Sequence, residues 1–147
     1  MAIAATDAQD RVEQLVMLTD RLTELVAKSA QAFEEGRPHE AAAQLDETTR
    51  LANLYRHESA RVRADPALVA GAPLAQRARL VRATEAFDAV LARQGRAIEA
   101  ARTITEGLVK AIADEVTAQR GQAVGYGPRS SQTANNTATA ITLNKRA

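Results

Sequence analysis

A long run without proline, residues 80–116, constrains the fold of this chain more than any other feature. Its apolar positions recur at alternating spacings of three and four residues, so they share one face of an α-helix. The face consists of two mainly apolar rows, one of Leu80, Phe87, Gln94, Ala101 and Leu108 and a second of Thr84, Leu91, Ile98, Thr105 and Ile112. A helix over residues 73–119 would be about 70 Å long at 1.5 Å per residue. Such a helix must lay its apolar face on partners, because propensity alone does not stabilise it.

Two shorter helices are predicted before this one, over residues 6–35 and 38–64. A capping-box pattern begins at Thr6, and residues 1–5 are predicted to be a frayed start. Gly36 is suited to a left-handed C-terminal cap, and Pro38 to the first turn of the next helix. Because the link between the two helices is so short, they must form an antiparallel hairpin.

The second helix is predicted to end at Asp65-Pro66, because the residue before a proline avoids the α region. From residue 121 onward Gly, Ser, Thr, Asn and Gln dominate and helical periodicity is lost. The sequence therefore predicts an all-α fold, an antiparallel three-helix bundle with a long third helix. The helical domain would cover residues 1–120, and a flexible, disordered polar tail would cover residues 121–147.

Composition excludes several classes of function. The formal net charge is +1, so there is no basic field to hold nucleic acid. The chain has no cysteine, which excludes disulfides and thiol chemistry. The N-terminus lacks the pattern of a signal peptide, and no apolar run reaches about 18 residues, so we expect no membrane insertion.

The residues give no catalytic constellation, so we predict a protein that is not an enzyme. The chain has two histidines, His39 and His57, and no Gly-rich phosphate loop. A phosphotransfer histidine on a helical bundle usually precedes a lysine and a glycine, whereas Glu58 and Ala60 follow His57. We expect no metal, no cofactor and no small-molecule substrate.

Two features suggest a binding function. The first is an excess of apolar residues near the end of the third helix, where packing in the chain's own core and binding of a partner are both open. These residues are Ile104, Leu108, Val109, Ile112 and Val116. The second is Tyr126, followed by Gly127-Pro128, which is either a turn marker or the anchor of a linear motif, because tyrosine buries a large area at low entropic cost.

The arrangement of helices, together with five sequence segments, resembles the FlgN-type flagellar type III export chaperones, and in particular their alphaproteobacterial, FlbY-like branch. The segments lie at residues 18–26, 46–69, 101–116, 125–128 (GYGP) and 142–147 (TLNKRA). The chain departs from the YGPDG pattern of many members, since Arg129 and Ser130 follow the proline.

The resemblance implies a cytoplasmic chaperone that binds the C-terminal amphipathic helix of the hook–filament junction proteins FlgK and FlgL. It also implies that the chaperone prevents aggregation of its client and delivers it to the export gate protein FlhA. Carried over by position, the five apolar residues from Ile104 to Val116 are the candidate client contacts, and Tyr126 is the candidate gate contact. The alternative is a structural coiled-coil adaptor of the export apparatus, which would pair through the third helix.

Overall fold

Five α-helices make up the fold in a computed structural model that describes residues 2–125, with side chains described as far as residue 122. The helices are α1 (Ala8–Glu34), α2 (Pro38–Ala42), α3 (Leu45–Ala64), α4 (Ala67–Ala70) and α5 (Leu74–Gly125). No β-strand occurs within residues 2–125. The prediction of an all-α fold with a long final helix is therefore confirmed. The chain divides into two compact units, Met1–Arg102 and Thr103–Ala147.

Helix α1 begins one residue later than the capping-box pattern predicted. Asp7, not Thr6, is the N-cap, and its carboxylate accepts a hydrogen bond from the Asp10 N–H at 2.8 Å. The Asp10 carboxylate in turn accepts one from the Thr6 N–H at 2.9 Å. A carboxylate is favoured over a hydroxyl at this place because it also interacts favourably with the positive end of the helix dipole.

The C-terminus of α1 confirms the role predicted for Gly36. This residue has φ +71°, a left-handed conformation that favours glycine. The Gly36 N–H donates to the Phe33 carbonyl at 3.2 Å, and the Arg37 N–H donates to the Ala32 carbonyl at 2.8 Å. This pair of bonds is a Schellman motif, which satisfies two carbonyls at the helix end and reverses the chain.

The helix predicted over residues 38–64 is divided in the structure. Gln44 has φ −113° and ψ 8°, outside the helical range, and separates α2 from α3. The sequence carries no sign of this break, because no glycine or proline lies near it. The predicted stop at Asp65-Pro66 is confirmed, since α3 ends at Ala64 and Asp65, with φ −138° and ψ 84°, is outside the helical range.

Within the unit Met1–Arg102, α1, α3 and the first part of α5 form an up-down-up bundle. Helices α1 and α3 are antiparallel, because Arg21 donates to Glu47 and Arg11 donates to Glu58. Helices α1 and α5 run parallel. The contacts that show this are Gln76 to Glu13 at 2.9 Å, Gln94 to Ser29 at 3.0 Å and Arg93 to Glu34 at 3.0 Å.

The core of this unit lies on one face of α1. Leu18, Leu22 and Val26 pack with Phe87 of α5, whose ring meets Tyr55 of α3 edge-on at a centroid distance of 5.1 Å. A second cluster, nearer the start of α1, contains Val12, Val16 and Ala72. Leucine, valine and alanine thus supply most of the core, as expected for a chain with few aromatic residues.

Helix α5 is longer than the predicted range 73–119, and its last residues belong to the segment predicted as tail. Gly121 does not end the helix, because a glycine in a helix interior costs only about 1 kcal/mol relative to alanine. The first proline after it is Pro128. The remainder of the predicted tail, residues 126–147, lies outside the described residues.

Candidate functional site

The C-terminal part of α5 presents an exposed apolar face in the unit Thr103–Ala147. The exposed fractions are 73% for Ile104, 60% for Leu108, 61% for Val109, 55% for Ile112 and 43% for Val116. At about 100° per residue these five side chains span about 140° of the helix circumference, so they form one continuous surface. We call this set the α5 stripe. It brings together all five residues that the sequence singled out for client binding.

The opposite side of the same segment is polar, which makes the helix amphipathic. Glu106, Lys110, Asp114 and Thr117 lie there by helical spacing. A glutamate four residues before a lysine supports a helix when the two face each other. Glu115 lies at the edge of the stripe, and its carboxylate accepts a hydrogen bond from Gln119 at 3.3 Å.

The residue types of the stripe are those of a packed helix face. In the unit Met1–Arg102, Phe87 of the first heptad row is 6% exposed, and Leu108 lies three heptads further along that row. Ala97 is likewise 7% exposed, and Ile104 follows it by one heptad. Every residue from 102 to 122 is nevertheless exposed, so none of the described residues buries the stripe. Such surfaces mark places where proteins associate.

A second exposed apolar surface lies on the bundle. It is a shallow groove of about 310 Å³ between α1, α3 and the N-terminal segment. Its lining residues are Ile3, Gln14, Met17, Leu18, Arg21, Leu51 and Leu54. Met17 is 70% exposed, and Arg21 at the edge is held by Glu24 and Glu47. This groove is short, whereas the stripe extends over several turns of α5. We expect the groove to accommodate a single apolar side chain.

The two histidines lie on the surface of α2 and α3. His39 and His57 are both exposed. Within residues 2–125 no group of three or more His, Cys, Asp or Glu side chains is arranged to hold a metal ion. Tyr126, the predicted gate contact, lies outside the described residues.

Glu58, next to His57, is a buried carboxylate that the sequence analysis did not single out. Its carboxylate accepts from the Ile3 N–H at 2.9 Å, from Arg11 at 3.1 Å and from Arg61 at 3.2 Å. The signal was its spacing: Glu58 falls in the row of Leu51, Tyr55 and Val62. Residues 1–5 were predicted to be frayed, but Ile3 is anchored here and packs against the core.

Burial and pairing act on the pKa of Glu58 in opposite directions. Desolvation alone would raise the pKa of this carboxyl. The Ile3 N–H and the guanidinium groups of Arg61 and Arg11 outweigh desolvation and hold the pKa below its ordinary value. The carboxylate therefore stays charged near neutral pH, which is the state of a structural ion pair and not of a general acid.

Sequence comparison identifies the family. A curated protein named flagellar basal-body protein FlbY, from Caulobacter vibrioides, is 66% identical over 128 residues, which cover 86% of this chain and 86% of the relative. This chain belongs to the FlbY family. No family model matches the chain, and no solved structure matches it.

Membership of the FlbY family gives the chain a flagellar role, and the helical fold is consistent with a role that is not enzymatic. Among the helices described over residues 2–125, none combines the length and the apolar character that crossing a membrane requires. In this member of the FlbY family, the α5 stripe places five exposed aliphatic side chains on one helix face within residues 2–122.

Proposed function

We propose that this FlbY-family protein is a cytoplasmic flagellar export chaperone whose α5 stripe binds an amphipathic helix. The observation that carries the proposal is the exposure of all five aliphatic side chains of the stripe, from Ile104 to Val116. A helix laid along the stripe would contact residues spaced at i, i+4 and i+8, which is the spacing of helix-in-groove recognition.

The clients that the FlgN resemblance suggests are the hook–filament junction proteins FlgK and FlgL. A subunit that later builds a filament exposes apolar helical surface before assembly, and a chaperone must cover that surface reversibly. Each buried leucine, isoleucine or valine contributes about 1.5–3 kcal/mol before the cost of ordering is subtracted. Five such residues together could offset the cost of association and ordering.

In the same proposal, Tyr126 is the contact to the export gate protein FlhA. It follows the end of α5 by one residue and lies ten residues after Val116, the last residue of the stripe. Client and gate would then bind neighbouring segments, so one chaperone could hold its client while docked. Tyr126→Ala should weaken binding to the cytoplasmic domain of FlhA and leave client binding unchanged.

The test is co-expression with the junction proteins, either full-length or lacking about the last 40 residues, followed by size-exclusion chromatography. We expect a complex that needs those terminal residues and is lost in Leu108→Asp and Ile112→Asp. Because both side chains are exposed, neither substitution should unfold the protein.

Two control variants locate the binding surface. Thr117→Asp adds the same charge to the polar side of α5, and Met17→Asp adds it to the groove on the bundle. Both should bind the client normally. Loss of binding in Met17→Asp with retention in Leu108→Asp would transfer the client site to the groove and contradict the assignment of the stripe.

A coiled-coil adaptor of the export apparatus is the second candidate, and the heptad rows of α5 favour it. In that case the stripe would pair with the stripe of a second copy. Light scattering distinguishes the two: a dimer that dissociates in Ile112→Asp, together with no binding of junction proteins, would support the adaptor.

A further inference from the structure

The α5 stripe raises the question of what covers it when no partner is bound. Five aliphatic side chains are exposed on one helix face. A continuous apolar surface of this kind promotes self-association unless something lies on it. We propose that the chain's own C-terminal segment, residues 141–146, covers the stripe in the unbound protein, with Ile141 and Leu143 against Leu108 and Ile112.

The composition of the terminal segment supports this choice. Residues 126–147 are dominated by small and polar side chains, and Ile141 and Leu143 are the large aliphatic residues among them. They lie two positions apart, so in an extended chain they point to the same side. Two aliphatic residues that share one side match the two adjacent turns of the stripe that Leu108 and Ile112 occupy.

The length of chain after α5 also fits. At about 1.5 Å per residue, Leu108 and Ile112 lie about 25 Å and 20 Å back along the helix from Gly125. Ile141 follows Gly125 by sixteen residues. A coil of that length has a root-mean-square span of about 20–24 Å. The local concentration of a tethered group is highest when this span equals the distance to its site.

Charge complementarity favours the same contact. The segment of α5 that carries the stripe holds Glu106, Asp114 and Glu115 but, among basic residues, Lys110 alone, so it is negative. No acidic residue follows Glu115 in the sequence, whereas Lys145 and Arg146 come directly after the aliphatic pair. With Ile141 and Leu143 on the stripe, both cations are brought to a helix segment of opposite net charge.

A tethered cover of this kind prevents self-association through the stripe and still allows a partner to bind there. Two aliphatic residues bury less surface than the five of the stripe, so a partner that fills the whole stripe displaces them. Removal of residues 129–147 should therefore tighten the binding of such a partner severalfold. The cover forms in the protein alone, whichever client binds.

The absence of cysteine permits a direct test, because one introduced thiol is the only site of labelling. The full chain carrying Thr142→Cys is labelled with a nitroxide, and the loss of methyl signal intensity is measured by NMR for Leu108, Val109 and Ile112. We expect signal losses of more than half at these methyl groups, with the same sample after chemical reduction of the nitroxide as the reference.

The decisive comparison uses the same labelled chain with Ile141→Ser and Leu143→Ser. If the aliphatic pair holds the segment on the stripe, most of the signal at Leu108 and Ile112 returns. Equal losses with and without the pair would mean that only the tether brings the label near, and would overturn the proposal. A control mixes equal amounts of two chains, one with the nitroxide but no isotope enrichment and one with isotope enrichment but no nitroxide. This mixture should show no loss of methyl signal. A loss would mean that the segment of a second copy covers the stripe, and would overturn the proposal.

Because these measurements contain no client, their failure would leave the export chaperone proposal unaffected. Conversely, if the junction proteins do not bind but the signal losses depend on Ile141 and Leu143, the cover stands without the chaperone.

Discussion

The Glu58 carboxylate in α3 accepts a hydrogen bond from the backbone N–H of Ile3 at a distance of 2.9 Å. This bond joins the start of the chain to a helix that begins more than forty residues later, and Arg11 completes the link from α1. The N-terminal segment is thereby part of the bundle, and its anchor is a charged group with no solvent exposure.

Glu58→Ala should lower the free energy of unfolding by about 3–5 kcal/mol, because it leaves Arg11 buried without its counter-charge. Chemical denaturation measures this loss. Glu47→Ala is the matched control, since Glu47 lies on the same helix as Glu58. Glu47 pairs with Arg21 of α1, and its side chain is partly exposed. The control should cost about 0–1 kcal/mol. Equal losses in the two variants would contradict a special role of burial.

The lowered pKa of Glu58 predicts a pH dependence of stability. A carboxyl group whose pKa is lower in the folded state stabilises the protein above its unfolded pKa, and the stabilisation is lost as the pH falls through the folded value. The difference in stability between wild type and Glu58→Gln should therefore be constant near neutral pH and shrink below about pH 4.5. Denaturation of both proteins from pH 7 to pH 3 tests this, and a constant difference would refute it.

Leu22 is fully buried, so Leu22→Ala should lower the free energy of unfolding by about 2–5 kcal/mol through lost burial and the cavity that remains. Met17 lies on the same helix but is 70% exposed, and Met17→Ala should change the stability by less than about 0.5 kcal/mol. Thermal denaturation followed by circular dichroism separates the two. A large effect of Met17→Ala would show that the groove residues are covered in solution.

Gly107→Ala should stabilise α5 by up to about 1 kcal/mol. A β-carbon built at Gly107 meets nothing within 4 Å, and the position lies outside the stripe. Amide exchange at residues 104–112 should slow about fivefold. The same substitution at Gly36 should instead destabilise by about 1–2 kcal/mol, because Gly36 has φ +71°. If exchange around residue 107 does not slow, this glycine does not weaken the helix.

The fold could be predicted from the sequence wherever a residue has a strong backbone preference. Gly36 and Asp65-Pro66 mark two helix ends correctly, because left-handed glycine and the residue before proline have strong backbone preferences. The break at Gln44 was missed, because a helix can be interrupted by the packing of its two parts on a neighbour without any local signal. The true end of α5 was missed because glycine penalises a helix without terminating it.

Part of the candidate site could likewise be predicted from the sequence, and part could not. The five residues of the stripe were found from spacing, since apolar residues at three and four positions apart on a helix must face something. Spacing does not say whether that surface is covered, and only the exposed fractions distinguish Leu108 from Phe87 in the same row. Glu58 was missed for the opposite reason: a charged residue is usually solvated, and its burial depends on Arg11 and Ile3, which are distant in sequence.

The parallel arrangement of α1 and α5 has a consequence for synthesis. Leu22 is buried in the finished bundle, but its cluster includes Phe87, which the ribosome adds 65 residues later. At about 5–20 residues per second, the interval is about 3–13 s. During each round of synthesis the most deeply buried helix face of this protein is therefore open to the cytosol for seconds. A nascent FlbY-family chain must remain free of wrong contacts during that time before it can bind anything else.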